Sequence, residues 1–206
     1  MVAFRACNDF YVYRRRAIRP RATTLITEVG DDMISANRLS LAEKNNAQST
    51  RLELCRKALE LAKEAFAPIS GFAVGVIIKS TDDREFGGQN QENSAFDSIH
   101  AEMAALANWN AAGEPKIEAI AIAGFKFWPT QEKTVVITPC GRCRQWIYEA
   151  IIRSKSNPEI ICANGDLSTI KSFRIDDLLP QAFAMADAAS IYKDWYSKMK
   201  QRLHDA

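Results

Sequence analysis

Two short stretches carry residues whose types and spacing can do chemistry: His100-Ala-Glu102 and Pro139-Cys-Gly-Arg-Cys143. Each helical residue turns about 100°, so residues two apart stand roughly 200° around the axis, and His100 and Glu102 cannot share a helix side. They can converge only at a helix start, where the free N–H groups point along the axis. Cys140 and Cys143 fall on neighbouring positions of a first turn, where the helix N-terminus favours negative charge and lowers a thiol pKa. One imidazole and two thiolates make three ligands for one Zn²⁺ per chain. The fourth tetrahedral position is left to water, as in catalytic rather than structural zinc sites. Glu102 is then a spare carboxylate beside an activated water, the place of a proton shuttle.

Three plainer readings compete. A redox dithiol would account for Cys-Gly-Arg-Cys but leaves His100 and Glu102 without a task. A closed structural zinc site needs a fourth ligand from Cys7, Cys55, Cys162 or His204, and none lies at finger-like spacing from the others. An ordinary core histidine at position 100 would be a coincidence in a chain with two histidines, the other near its C-terminal end.

The elements that must position these residues follow from periodicity and turn chemistry. Thr50-Arg-Leu-Glu53 predicts a capping box, opening an amphipathic helix with Leu52, Cys55, Leu59, Ala62 and Phe66 on its apolar face. Pro68 to Gly71 ends it. Phe72 to Lys79 predicts a buried strand that pairs as a hairpin with a second strand from about Arg84. A helix is expected from His100 to about Ala112, stopped by Gly113 and Pro115. Ile117 to Ala123 and Thr134 to Thr138 predict two further strands, Cys140 to about Arg153 a helix, and Glu159 to Ala163 a fifth strand. Asn164-Gly-Asp reads as a turn and Met185 to about Leu203 as a terminal helix. Alternating strands and helices indicate an α/β sheet covered on both faces, with both half-sites at strand-to-helix junctions. The aromatic loop at residues 124–133 is a lid or an oligomer contact.

At 206 residues, 47% of them hydrophobic, the chain suits one packed domain with an arm. The division expected is a basic, poorly structured arm over 1–48, with Met33 an alternative start or the upstream residues a transit peptide, and a zinc-dependent enzyme domain over 49–206. Residues 1–21 hold six arginines against Asp9, which leaves 21 basic and 24 acidic residues, net −3, in the remainder. That mildly acidic body argues against a nucleic-acid substrate and for a small, uncharged one. No apolar run reaches the roughly 18 residues of a membrane span, and five cysteines, an odd number, point to a reducing, cytoplasmic setting.

With these residues in place, the sequence resembles the cytidine deaminase family over most of residues 52–183. Ala67-Pro-Ile-Ser-Gly-Phe-Ala-Val-Gly75 is similar to that family's opening segment, Gly88-Gln-Asn-Gln-Glu-Asn93 to its nucleoside-binding stretch, Pro139-Cys-Gly-Arg-Cys-Arg-Gln145 to its second metal segment, and Leu178-Leu-Pro-Gln-Ala-Phe183 to its C-terminal signature. The pairing of His-x-Glu with Pro-Cys-x-x-Cys is shared by zinc deaminases of nucleobases. The resemblance implies a three-layer α-β-α fold with a mixed five-stranded sheet, and hydrolysis of cytidine or deoxycytidine to the uridine product and ammonia. It implies zinc on His100, Cys140 and Cys143, and Glu102 as the catalytic proton carrier. Asn90 and Glu92 would bind the ribose hydroxyls, with Phe72 beside the nucleoside and backbone groups of Ala101 and Thr138 on the pyrimidine edge. A carboxylate on the sugar hydroxyls accepts hydrogen bonds and repels phosphate, favouring nucleosides over nucleotides. Phe72 also reads simply as a core residue.

The resemblance implies a homo-oligomer but leaves dimer and tetramer open. Small tetrameric members generally have cysteine as first ligand, and His100 is the choice of longer dimeric members whose second domain has no room here. Arg144 would offset an extra thiolate in three-cysteine relatives. Here neutral His, two thiolates and Zn²⁺ already sum to zero, so Arg144 is expected to orient a thiolate instead. His100-Ala-Glu-Met-Ala-Ala-Leu is also similar to tRNA-adenosine and guanine deaminases, but Asn-x-Glu-Asn and Gly-x-Cys-Arg-Gln favour cytidine. The alternatives are a blasticidin-type aminopyrimidine nucleoside deaminase and an inactive deaminase-fold module that binds nucleosides or RNA through the basic arm.

Overall fold

The computed structural model describes residues 40–127 and 135–184, with residues 191, 194–195, 197–199 and 201–202 of the C-terminal stretch. The arm's arginines, Met33, Cys7, His204 and most of the aromatic loop lie outside the described residues. One compact unit runs from Ser40 to Ala206.

Helix α1 (Leu41–Lys63) begins at the Ser40 N-cap, not at Thr50. The Ser40 hydroxyl accepts from the Glu43 N–H at 3.3 Å while Glu43 Oε2 accepts from the Ser40 N–H at 2.8 Å, a reciprocal cap that satisfies two orphan donors. Thr50 instead donates its hydroxyl to the Asn46 carbonyl at 3.1 Å, inside the helix. The stretch 42–50 is almost wholly exposed, so no apolar period marks it, and the expected boundary between residues 48 and 49 falls in mid-helix. Phe66 lies past the helix end, 62% exposed and paired with the chain near Gln91.

The sheet is built from β1 (Phe72–Ser80), β2 (Glu85–Gln89), β3 (Ile117–Lys126), β4 (Glu159–Ala163) and β5 (Ile170–Phe173) in the order β2-β1-β3-β4-β5. All neighbours are antiparallel except β3 and β4, whose parallel pairing requires the crossover supplied by α3 (Gly141–Ser154). The expected strand at 134–138 does not form over its described residues. Described residues 135–138 run outside the ladder, with the Ile137 N–H reaching only the Ala163 carbonyl at 3.3 Å. Both edges of β3 are already taken by β1 and β4, so the segment cannot pair back onto the strand it follows. The unexpected β5 fills the edge beside β4, and the short α4 (Ile175–Leu178) follows it.

Alternation along the strands separates two cores. Val76, Ile78, Ile120, Ile122 and Ile160 pack against α2 (Ala101–Ala111) and α3, where Leu106, Trp109 and Ile147 complete the layer. On the opposite face Ala119, Ala121, Ala123 and Ala163 meet Leu54, Cys55 and Ala58 of α1. Small residues there let α1 lie close to the sheet: a Cβ on Gly75 would stand 2.0 Å from the Ala58 carbonyl oxygen. The result is the three-layer α-β-α arrangement. No helix among the described residues is long and apolar enough to cross a membrane.

The register brings the site together. Gln89, at the end of β2, pairs with Gly75, which pairs in turn with Ala123 near the end of β3. The chain therefore leaves β2 and β3 at the same end of the sheet, and α2 and α3 begin there.

Candidate active site

His100 and Cys140 are both N-cap residues, with extended backbone (φ −76°, ψ 150° and φ −68°, ψ 169°), and neither side chain makes a capping hydrogen bond. An N-cap side chain normally reaches back to the first-turn N–H groups. Here both are turned to each other instead. His100 Nδ1 lies 3.5 Å from Cys140 Sγ and 3.3 Å from Cys143 Sγ, and the two sulfurs are 3.5 Å apart. Tetrahedral zinc at ordinary bond lengths would hold sulfur from sulfur at about 3.8 Å and sulfur from nitrogen at about 3.6 Å. The three donors stand within a few tenths of an ångström of that frame and fit a zinc ion.

Both sulfurs are free thiols, and Cys55 and Cys162 are buried away from the cluster. Burial pushes the thiols of Cys55 and Cys162 up to about 12, which keeps them protonated and inert. Among the described residues no fourth cysteine or histidine joins the three. The pKa expectation needs correcting for Cys143: burial, then the Glu102 carboxylate, pushes its thiol up despite the helix N-terminus. Burial and the neighbouring carboxylate disfavour the ionised thiol there, and a bound cation is what would make this position a thiolate.

Glu102 is 6% exposed, two residues into α2, and lines a cavity of about 330 Å³ together with His100 and Cys140. That volume lies in the range of pockets for small ligands. The five residues expected around a substrate, Phe72, Asn90, Glu92, Ala101 and Thr138, line the same cavity. Phe72 is half-buried at the start of β1, not a core residue. Asn90 is locked by two bonds to β1: its Oδ1 accepts from the Val74 N–H at 2.8 Å and its Nδ2 donates to the Phe72 carbonyl at 2.9 Å. Glu92 Oε2 accepts from the N–H groups of Ile69 at 2.7 Å and Ser70 at 3.1 Å. Hydrogen bonding by Ser70, and then by the Ile69 and Ser70 backbone, holds its carboxyl below the usual value.

Ser70, Val74, Ser98 and Ile137 also line the cavity and were not expected there. Ser70 and Val74 sit inside the 67–75 segment already singled out, and Ser98 and Ile137 each stand within two residues of an expected site residue. Nothing in their own types marks them. Arg144 does not touch a thiolate: its Nε donates to the Pro139 carbonyl at 2.7 Å and its Nη1 to the Leu178 carbonyl at 2.8 Å.

Comparison with known proteins places this geometry. A family model described as "Cytidine and deoxycytidylate deaminase zinc-binding region" matches residues 48–156. A cytidine deaminase of Mycoplasma genitalium is 34% identical over 134 residues, covering 64% of this chain and 95% of that protein. One from Aeromonas hydrophila is 36% identical over 127 residues, but there the chain spans only 35% of the relative's length. The crystal structure of a cytidine deaminase from Burkholderia pseudomallei superposes with a TM-score of 0.53 at 33% identity, over 64% of this chain and 97% of that one. That from Mycobacterium tuberculosis gives 0.51 at 29% identity, over 65% and 96%. A match across more than half of its residues, carried by the segments that hold the three metal donors, shows that this chain belongs to the cytidine and deoxycytidylate deaminase zinc-binding family.

Proposed function

We propose that the chain hydrolyses cytidine, deoxycytidine or both to the corresponding uridine nucleoside and ammonia. The observation that carries this is Glu102, a carboxylate buried in a nucleoside-sized cavity beside three metal donors but not counted among them. Zinc held by His100, Cys140 and Cys143 would supply the acidity that makes water a nucleophile near neutral pH. Glu102 accepts one proton of the water that adds to C4 and delivers it to N3, then takes the second proton from the new C4 hydroxyl and passes it to the departing amino group, which leaves as ammonia while the C4–O bond becomes the carbonyl. Each transfer needs a carboxylate within hydrogen-bond reach of both water and base. The orphan N–H of Ala101 in the first turn of α2 and the backbone at Thr138 orient the pyrimidine edge, and Phe72 covers the base.

Asn90 and Glu92 hold the sugar. With its amide fixed to β1, Asn90 keeps one N–H and one lone pair for a hydroxyl. Glu92→Gln is expected to raise KM for cytidine roughly tenfold or more, the scale of a hydrogen bond to a charged group, with a smaller change in kcat. The preference for nucleoside over its 5′-monophosphate should shrink as well. The depressed pKa of Glu92 keeps the side chain ionised as pH falls through the ordinary carboxylate value of 4.5. Steady-state kinetics should therefore show KM flat through pH 5, and a rise beginning above that would count against the assignment.

Catalysis is assigned to the unit from Ser40 onward, which holds the three metal donors and Glu102. Exposed Phe66, Ile69, Phe96 and Ile99 near the cavity, and Trp146 on α3, support a homo-oligomer, and the free cysteines support a cytoplasmic setting. The deciding experiment is ultraviolet absorbance of cytidine and deoxycytidine with zinc-loaded protein, alongside metal analysis. Loss of absorbance with about one zinc per chain supports the proposal. One zinc without turnover on either nucleoside would sink it.

A further inference from the structure

Neutral His100, two thiolates and Zn²⁺ sum to zero, and the buried Glu102 carboxylate beside them adds one negative charge. Half-buried Arg144 follows Cys143 directly. Its guanidinium is engaged elsewhere, donating to the Pro139 carbonyl at 2.7 Å and the Leu178 carbonyl at 2.8 Å. The next residue, Gln145, donates Nε2 to the Phe183 carbonyl at 2.8 Å. Two consecutive side chains at the start of α3 thus tie that turn to both ends of the stretch 178–183.

We infer that Arg144 is a positioning residue that sets the metal-binding turn by clamping backbone rather than by balancing charge, and that the stretch 178–183 is the strap to which it fastens. The inference rests on the zinc reading of the site. The Pro139 carbonyl belongs to the peptide unit that leads into Cys140, so a bond to it fixes the plane from which the first sulfur departs. Proline has no N–H, and its carbonyl is the only polar backbone handle at that point. Leu178 ends α4, where a carbonyl has no partner within its helix. A planar guanidinium presents diverging donors at fixed angles and can hold both carbonyls at once. An ammonium on a flexible stem cannot reproduce that geometry.

The test compares Arg144→Lys and Arg144→Gln with the full-length parent. Zinc dissociation constants are measured by competition with a chromophoric chelator, and visible spectra of the cobalt(II)-substituted proteins report tetrahedral geometry. Both variants are expected to bind zinc roughly 10- to 100-fold more weakly, the usual cost of losing a partner that orients a ligand, with cobalt bands weakened alike. Parent affinity restored by Lys but not by Gln would show that charge suffices and would overturn the clamp, as would parent affinity in both. Gln145→Ala, which removes the tie to Phe183 along with a bond to Glu149 on the same helix, keeps the test open should the arginine variants fail to fold. Its zinc affinity is expected to fall roughly two- to tenfold, the worth of one neutral hydrogen bond, and no change would overturn the strap. The parent's stoichiometry comes from the same titration, so a failure of the zinc reading appears there and not in the variants.

Discussion

Glu102→Gln is expected to lower kcat by about 10²- to 10⁴-fold, roughly 3 to 5 kcal/mol of barrier, while one zinc per chain stays bound. The substitution keeps shape and hydrogen-bonding capacity but removes the ability to take up a proton. Binding of the metal should not suffer, because the donors are His100, Cys140 and Cys143. Glu102 also opposes ionisation of the Cys143 thiol, so its neutralisation works, if anything, in favour of the metal. Single-turnover kinetics and metal analysis on the same preparation separate the two effects. Retention of a tenth or more of the parent turnover, or loss of zinc together with activity, would remove Glu102 from the role of proton carrier.

Gly88→Ala is expected to damage the metal site from a distance. Gly88 is buried on β2 opposite Val76, and a Cβ there would stand 2.3 Å from the Ala105 nitrogen and 2.6 Å from the Ala101 carbonyl oxygen. Those are backbone atoms of α2, which can yield only if the whole first turn moves. That turn follows directly on His100, so relief of the clash draws Nδ1 away from sulfurs anchored on α3. Overpacking of this kind costs about 1–3 kcal/mol and occasionally more, and zinc affinity should fall with stability. Gly141→Ala is the control, because a Cβ at that position meets nothing within 4 Å. Helix propensity makes alanine there neutral to slightly stabilising. Denaturant midpoints and zinc titrations of the two variants should diverge; equal behaviour would mean that α2 is not held by its contact with Gly88.

The chemistry could be read from the chain because it depends on short spacings. His100 with Glu102, and Cys140 with Cys143, constrain each other locally, and a helix start is the one element that satisfies both pairs. The misreadings arose where two local answers were equally good and a distant partner chose between them. Ser40-Leu-Ala-Glu43 and Thr50-Arg-Leu-Glu53 both spell a capping box, and only the structure shows that the first is used, because the turns between them project into solvent. The segment ending at Thr138 has better strand residues than Ile170-Lys-Ser-Phe173, yet the shorter one forms β5 because it has an open sheet edge beside it. Arg144 shows the same limit. Its carbonyl partner on Leu178 lies 34 residues away, and nothing near Arg144 in sequence announces it.

The two faces of β3 place opposite demands on the chain as it diverges. Toward α2 and α3 the strand presents Ile120 and Ile122; toward α1 it presents Ala119, Ala121 and Ala123. The isoleucine face is vulnerable to loss of volume, and one side chain there can be exchanged for another of similar size if its neighbours repack. The alanine face is vulnerable to gain of volume, because α1 already lies close against it with Leu54, Cys55 and Ala58 filling the space. Drift in this fold is therefore lopsided. The layer behind the catalytic helices can be rewritten in many combinations of large residues, whereas the β3 positions under α1 are held to the smallest side chains for as long as that helix stays docked.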